Sequence, residues 1–192
     1  MAASTALTVL GISGSLRHGS YNSAALRAAQ GLVPAGMAIT PFDIAPIPLY
    51  NEDVRQQGFP EPVEAFREGI RAADALLIVT PEYNYSIPGV LKNAIDWASR
   101  PPDQPFADKP IAIMGASPGM LGTARAQYHL RQCFVFLNAR LVSQPEVMIA
   151  HANQRFDADG TLTDATTAKF IGNLLQALAD WTRRLQRSRA AG

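Results

Sequence analysis

The chain has 192 residues, 47% of them hydrophobic, which suits one domain with a sizeable core and is short for two. Seventeen basic residues against 16 acidic give a net charge of +1, so bulk electrostatics points neither to nucleic acid nor to an acidic carrier surface. Met1–Thr5 lack a basic flank, and the apolar stretch Ala6 to Ile12 is too short for a signal peptide or a membrane span, so a soluble, cytoplasmic protein is expected.

In chain order, short apolar runs alternate with helical patterns. Leu7 to Ile12, Ala38 to Ile44, Ala75 to Thr80, Pro110 to Met114 and Arg140 to Val142, with apolar character continuing to Ile149, read as strands; the third and fourth are nearly continuous apolar runs of the kind buried on both faces. Tyr21 to Gln30 reads as the first helix, and Val63, Phe66, Ile70 and Ala73 mark one face of the second. Pro88 to Ala98 and Thr123 to Asn138 follow, and Phe170, Leu174, Leu178, Trp181 and Leu185 define the last. Cys133, the only cysteine, lies among Leu130, Phe134 and Leu137 and is expected to be a buried structural thiol. Nothing resembles a linker or a repeat, so residues 1–192 are expected to form a single doubly wound α/β domain.

In such sheets ligands bind beyond the carboxyl ends of the strands, where strand order reverses. Three loops lie there. The first, in GISGSLRHGSYNS, sets Gly14, Ser15, Arg17, Gly19, Ser20 and Asn22 around a helix amino terminus, where N–H groups, hydroxyls and a guanidinium favour an anion. It has neither the Gly-Lys-Ser/Thr ending of a triphosphate loop nor G-x-G-x-x-G, so a single phosphate suits it best; a plain Ser/Asn-capped helix suits the same residues. The second, Pro81-Glu82-Tyr83-Asn84-Tyr85, adjoins the first if a five-stranded parallel sheet has the flavodoxin-like order 2-1-3-4-5. Aromatic side chains and backbone polar groups there suit a flat, conjugated, partly polar ring carried by the phosphate, and flavin mononucleotide (FMN) has that shape. The third, GASPGMLGTAR, closes the remaining side through Ser117.

GISGSLRHGSYN, IPLYNED, PEYNYSIPGVLKNAIDW and ARAQYHLRQ together resemble the NAD(P)H-dependent FMN reductase family, the flavodoxin-like group that includes quinone, chromate and azo reductases. The resemblance covers nearly the whole chain. It implies that Ser15, Arg17, Ser20 and Asn22 hold the FMN phosphate, while Pro81, Glu82, Tyr83 and Asn84 line the isoalloxazine with Ser117 opposite. It implies NADPH or NADH as donor, ping-pong transfer through the flavin to a quinone, chromate, azo or similar acceptor, and homodimers or homotetramers. Tyr85, Arg125, Tyr128 and Glu146 are expected at an inter-subunit interface.

The cofactor would carry the chemistry, so no catalytic side chain is expected; backbone N–H groups of the Glu82 to Asn84 segment and Ser117 would stabilise negative charge on the reduced ring. His18, His129 and His151 are scattered without metal-ligand spacing, and no metal is expected. Ser15 lacks the G-x-S-x-G context and triad partners of a hydrolase. The rival reading is a flavodoxin-like FMN electron carrier without a nicotinamide site, whose usual acidic surface this chain lacks.

Overall fold

The computed structural model describes residues 6–190; Met1–Thr5 lie outside them. The elements are β1 (Leu7–Ser13), α1 (Tyr21–Gly31), β2 (Met37–Phe42), α2 (Glu52–Arg55), α3 (Glu61–Ala72), β3 (Ala75–Val79), α4 (Gly89–Ala98), β4 (Pro110–Ala116), α5 (Ala124–Phe136), β5 (Arg140–Leu141), β6 (Val147–Ile149) and α6 (Ala165–Ala190). The parallel sheet runs β2-β1-β3-β4-β5, the expected flavodoxin-like order, so β1 and β3 are neighbours at the switch point. The run from Arg140 to Ile149 is one edge strand in two pieces. β5 pairs with Pro110 and Ile111 of β4, and β6 rejoins at Met114 to Ala116.

Alternation along each strand feeds two cores. Leu7 and Val9 of β1, Leu77 and Val79 of β3, and Ala112 and Met114 of β4 face α1 and α6. Leu10 and Ile12, Leu76 and Ile78, and Ile111 and Ile113 face α3, α4 and α5. Both faces of β3 and β4 are therefore buried, which is why their sequences read as unbroken apolar runs.

Several expectations need correction. On α6 the buried stripe is Ile171, Leu174, Leu175, Leu178 and Ala179, while Phe170 is half exposed; the true stripe starts one residue later. Trp97 of α4 is fully buried, and its indole N–H donates to the Pro48 carbonyl at 2.8 Å. Cys133 is only partly buried, although burial pushes its thiol above the ordinary range and disfavours the reactive thiolate. No helix among the described residues is long and apolar enough to cross a membrane, and no group of three or more His, Cys, Asp or Glu side chains among them has metal-binding geometry.

Gly115 joins the sheet to the loops at its carboxyl end. A Cβ there would lie 2.1 Å from Thr123 Oγ1 and 2.2 Å from the Thr80 carbonyl oxygen, and the backbone oxygen cannot step aside. Gly115→Ala should therefore destabilise the protein by about 1–3 kcal/mol or more through overpacking, seen as a lower urea midpoint at unchanged slope.

Candidate active site

Each loop at the carboxyl end of the sheet is shaped by its own residues. After β1, Gly14 turns the chain; a Cβ on it would press at 3.2 Å on Pro81, Pro88 and Leu91, so glycine lets the first loop sit against the second. Ser20 is the N-cap of α1, accepting from the N–H groups of Asn22 and Ser23. Its hydroxyl proton stays available to a ligand. The Ser15 hydroxyl accepts from Arg17 N–H at 3.4 Å. Arg17 itself is exposed, lies 5.8 Å from the Tyr21 ring centroid and makes no ion pair among the described residues.

The second loop leaves β3 through the buried Thr80 and Pro81 and folds into a two-residue hairpin turn. Tyr83 and Ser86 exchange backbone hydrogen bonds of 3.1 and 3.0 Å, and the central residues Asn84 and Tyr85 have φ of 49° and 66°. Asparagine tolerates that region, whereas for a bulky tyrosine it is a conformation costing about 1–3 kcal/mol that neighbours must support. The neighbour is Arg125, whose guanidinium carbon lies 3.6 Å from the Tyr85 ring centroid. Arg125 in turn pairs with Glu82, whose side chain is only 6% exposed. Glu82 Oε2 also accepts from the N–H groups of Arg125 and Ala126 in the first turn of α5.

In the third loop, Ser117 donates its N–H to Ile149, accepts at its carbonyl from Ala152, and accepts at its hydroxyl from Gly119. Only its O–H is left to donate outward. Asn22 clasps this loop from α1. Its buried amide donates to the Ala116 carbonyl at 3.0 Å and accepts from Ala116 N–H at 2.8 Å.

These loops enclose a cleft of about 200 Å³ lined by Ser15, Arg17, Ser20, Tyr21, Asn22, Pro81, Glu82, Tyr83, Ala116, Ser117 and Pro118. Eight of the nine residues expected at the site meet there. Asn84 does not: it stands exposed at the tip of the turn. Glu82 reaches the cleft while its carboxylate is engaged at α5, and the N–H of Tyr83 is committed to Ser86, so it does not offer the donor expected of that segment. Tyr21, Ala116 and Pro118 were not anticipated; Tyr21 is the first residue of α1, where the signal was read only as a helix start.

The donor set fits a phosphorylated ring. An unpaired guanidinium, two hydroxyls and a helix amino terminus with no acidic residue in its first turn favour a phosphate, and the Pro81–Tyr83 wall with the Ser117 hydroxyl offers both faces and polar edges. Residues 7–154 match the NADPH-dependent FMN reductase family. The chain belongs to that family. It is 66% identical over 180 residues to an NAD(P)H-dependent FMN reductase of Pseudomonas aeruginosa, an alignment covering 94% of this chain and 97% of that one. It is 47% identical over 183 residues to a quinone reductase of Escherichia coli, with the same coverage. Among solved structures, the flavoenzyme NAD(P)H:(acceptor) oxidoreductase of Paracoccus denitrificans superposes with a TM-score of 0.85 at 38% identity, over 93% of this chain and 98% of that one. The family member described here is an NAD(P)H-dependent oxidoreductase with FMN as its cofactor.

Asn22 supplies a test of how the cleft is held. Asn22→Asp would turn a carboxylate oxygen toward the Ala116 carbonyl and orphan that buried acceptor, at a cost of about 1–3 kcal/mol. A lower urea midpoint in the cofactor-free protein is the expected result.

Proposed function

We propose that this reductase oxidises NADPH or NADH and passes two electrons to a quinone by a ping-pong mechanism, residues 1–192 acting as one FMN-binding domain. The observation that carries the reading is Arg17, a guanidinium without an ionic partner among the described residues, beside a serine-capped helix amino terminus and a cleft formed by three loops. The names of the relatives support the quinone as acceptor. Chromate and azo compounds fit the same reading as further acceptors.

When bound, FMN would supply the capacity to take hydride from the nicotinamide and deliver electrons to the acceptor. Arg17, Ser15 and Ser20 would hold its phosphate, with Asn22 keeping α1 and the third loop in register. Pro81, the backbone of Glu82 and Tyr83 would line the ring, with the Ser117 hydroxyl donating from the opposite side and Asn84 serving the turn itself. A cleft of about 200 Å³ is small and open for such a ligand, since ligand sites commonly measure about 300–1,000 Å³. That favours a homodimer or homotetramer whose second subunit completes the pocket. Val90, Tyr128, Val135 and Phe136 are apolar or aromatic groups exposed on α4 and α5, and the pairs Tyr85–Arg125 and Tyr128–Glu146 border them. The hydrogen bond to Glu146 raises the Tyr128 pKa, so its hydroxyl stays protonated as a donor.

Purified protein should oxidise NADPH with benzoquinone, giving parallel lines in double-reciprocal plots at varied quinone. Intersecting lines would reject ping-pong transfer, and flavin-bound protein without turnover would favour the carrier reading.

Arg17→Ala should weaken FMN binding roughly ten- to a hundredfold. A charge-assisted bidentate contact is worth about 1.5–3 kcal/mol, and about 1.4 kcal/mol is tenfold. Riboflavin, which lacks the phosphate, should lose almost nothing in the same titration; a parallel loss of both would place Arg17 in loop folding instead.

A further inference from the structure

We propose that Glu82 is a positioning residue for the electron-transfer reaction: its carboxylate, engaged at α5 and Arg125, holds the Pro81–Tyr83 backbone at the cleft wall and balances the charge beside it. The inference rests on the reductase reading and concerns how that site keeps its shape and potential.

The contacts form a closed circuit. Glu82 Oε2 accepts from the Arg125 and Ala126 N–H groups, and Oε1 pairs with Arg125 Nη2. The Arg125 guanidinium covers the Tyr85 ring, and Tyr85 occupies the turn whose backbone bonds return to Tyr83. Tyr85 at φ 66° depends on this cover, because an exposed tyrosine has no intrinsic reason to remain in the left-handed region. The Arg125 Nε is buried without a hydrogen-bond partner, so Glu82 and the tyrosine ring supply the interactions that orient the guanidinium. Both carboxylate oxygens are thereby used, and the residue meets the cleft with its negative charge offset by a guanidinium and a helix amino terminus.

This arrangement separates two effects that a carboxylate would otherwise combine. An uncompensated negative charge at the cleft would oppose the gain of electrons by a bound ring. Paired as it is, Glu82 fixes the loop without imposing that penalty. Removing either member of the pair unbalances the site, and the two removals have opposite electrostatic signs.

The test uses Glu82→Gln and Arg125→Ala, both reconstituted with FMN, with Arg125→Lys as a variant that keeps the charge but loses the fork. In the cofactor-free proteins, amide exchange at Arg125 and Ala126 should be faster in Glu82→Gln than in wild type. FMN affinity should fall about tenfold in Glu82→Gln and Arg125→Ala, the order expected for one lost charge-assisted hydrogen bond. The flavin midpoint potential should rise in Glu82→Gln and fall in Arg125→Ala, with Arg125→Lys close to wild type. Potentials that stay fixed or move together in the first two variants would overturn the proposal, as would FMN affinity within about twofold of wild type. Wild-type FMN binding and quinone-dependent NADPH oxidation, measured in parallel, report on the reductase reading separately. Failure there sinks that reading, whereas a competent wild type with indifferent variants sinks only the role of Glu82.

Discussion

The site depends on the buried amide of Asn22, which spans from α1 to the last residue of β4 and satisfies both the N–H and the carbonyl of Ala116. A parallel sheet leaves its strand ends as separate loops, and nothing in the sheet's own hydrogen bonding fixes one loop relative to the next. Asn22 joins the first loop to the third. Glu82 joins the second to the third through α5, and the missing side chain of Gly14 lets the first lie against the second. Each tether is buried or nearly so, where an unmade polar contact is costly and the geometry is correspondingly well defined. The cleft is thus a property of three tethers and not of any single loop.

Several charged side chains meet helix ends of the complementary sign. Glu82 sits at the amino end of α5 and Asp164 at that of α6, where hydrogen bonds from Thr167 lower the carboxyl pKa. At carboxyl ends the donors are cations. Arg67, almost fully buried, gathers the carbonyls of Ala98 and Arg100 at the end of α4 and that of Pro102 beyond it, its guanidinium 4.0 Å from the Phe59 ring centroid. Lys109 collects the carbonyls of Arg71 and Ala73 at the end of α3. Burial lowers the pKa of both, and the carbonyls they collect offset part of the loss of hydration.

What the sequence made legible was governed by period and by local chemistry. The runs Ala75–Val79 and Pro110–Ala116 announced central strands because both of their faces are covered, and alternation with helices indicated a doubly wound sheet, although strand order is not encoded in that alternation. Eight residues of the cleft were legible because Ser15, Arg17, Tyr83 and their neighbours are polar or aromatic residues in loops between an apolar strand and a helix. Side-chain direction was not legible. PEYNY reads as a polar and aromatic wall, yet the carboxylate of Glu82 is spent on α5, and the turn carries Asn84 out of the cleft. The partner, Arg125, lies 43 residues further on in sequence, a separation that no local pattern encodes. On the last helix the expected Leu174 and Leu178 are buried, but Phe170 is half exposed because the sheet meets a face centred further round, which Ile171 and Leu175 share.

Arg17 departs from the complementarity between charges and helix ends. It precedes the amino terminus of α1, where the dipole is already positive, and the first turn of that helix contains no acidic residue to offset it. Near it the structure places hydroxyls of Ser15 and Ser20 and an aromatic ring, and no carboxylate pairs with it among the described residues. Arg125 neutralises a carboxylate and Arg67 collects carbonyls, whereas a cation at a positive helix end is electrostatically unfavourable for folding alone. The arrangement becomes favourable when an anion bridges the guanidinium and the helix N–H groups. On the proposed reading, this local frustration in the cofactor-free chain would be converted into affinity for the FMN phosphate.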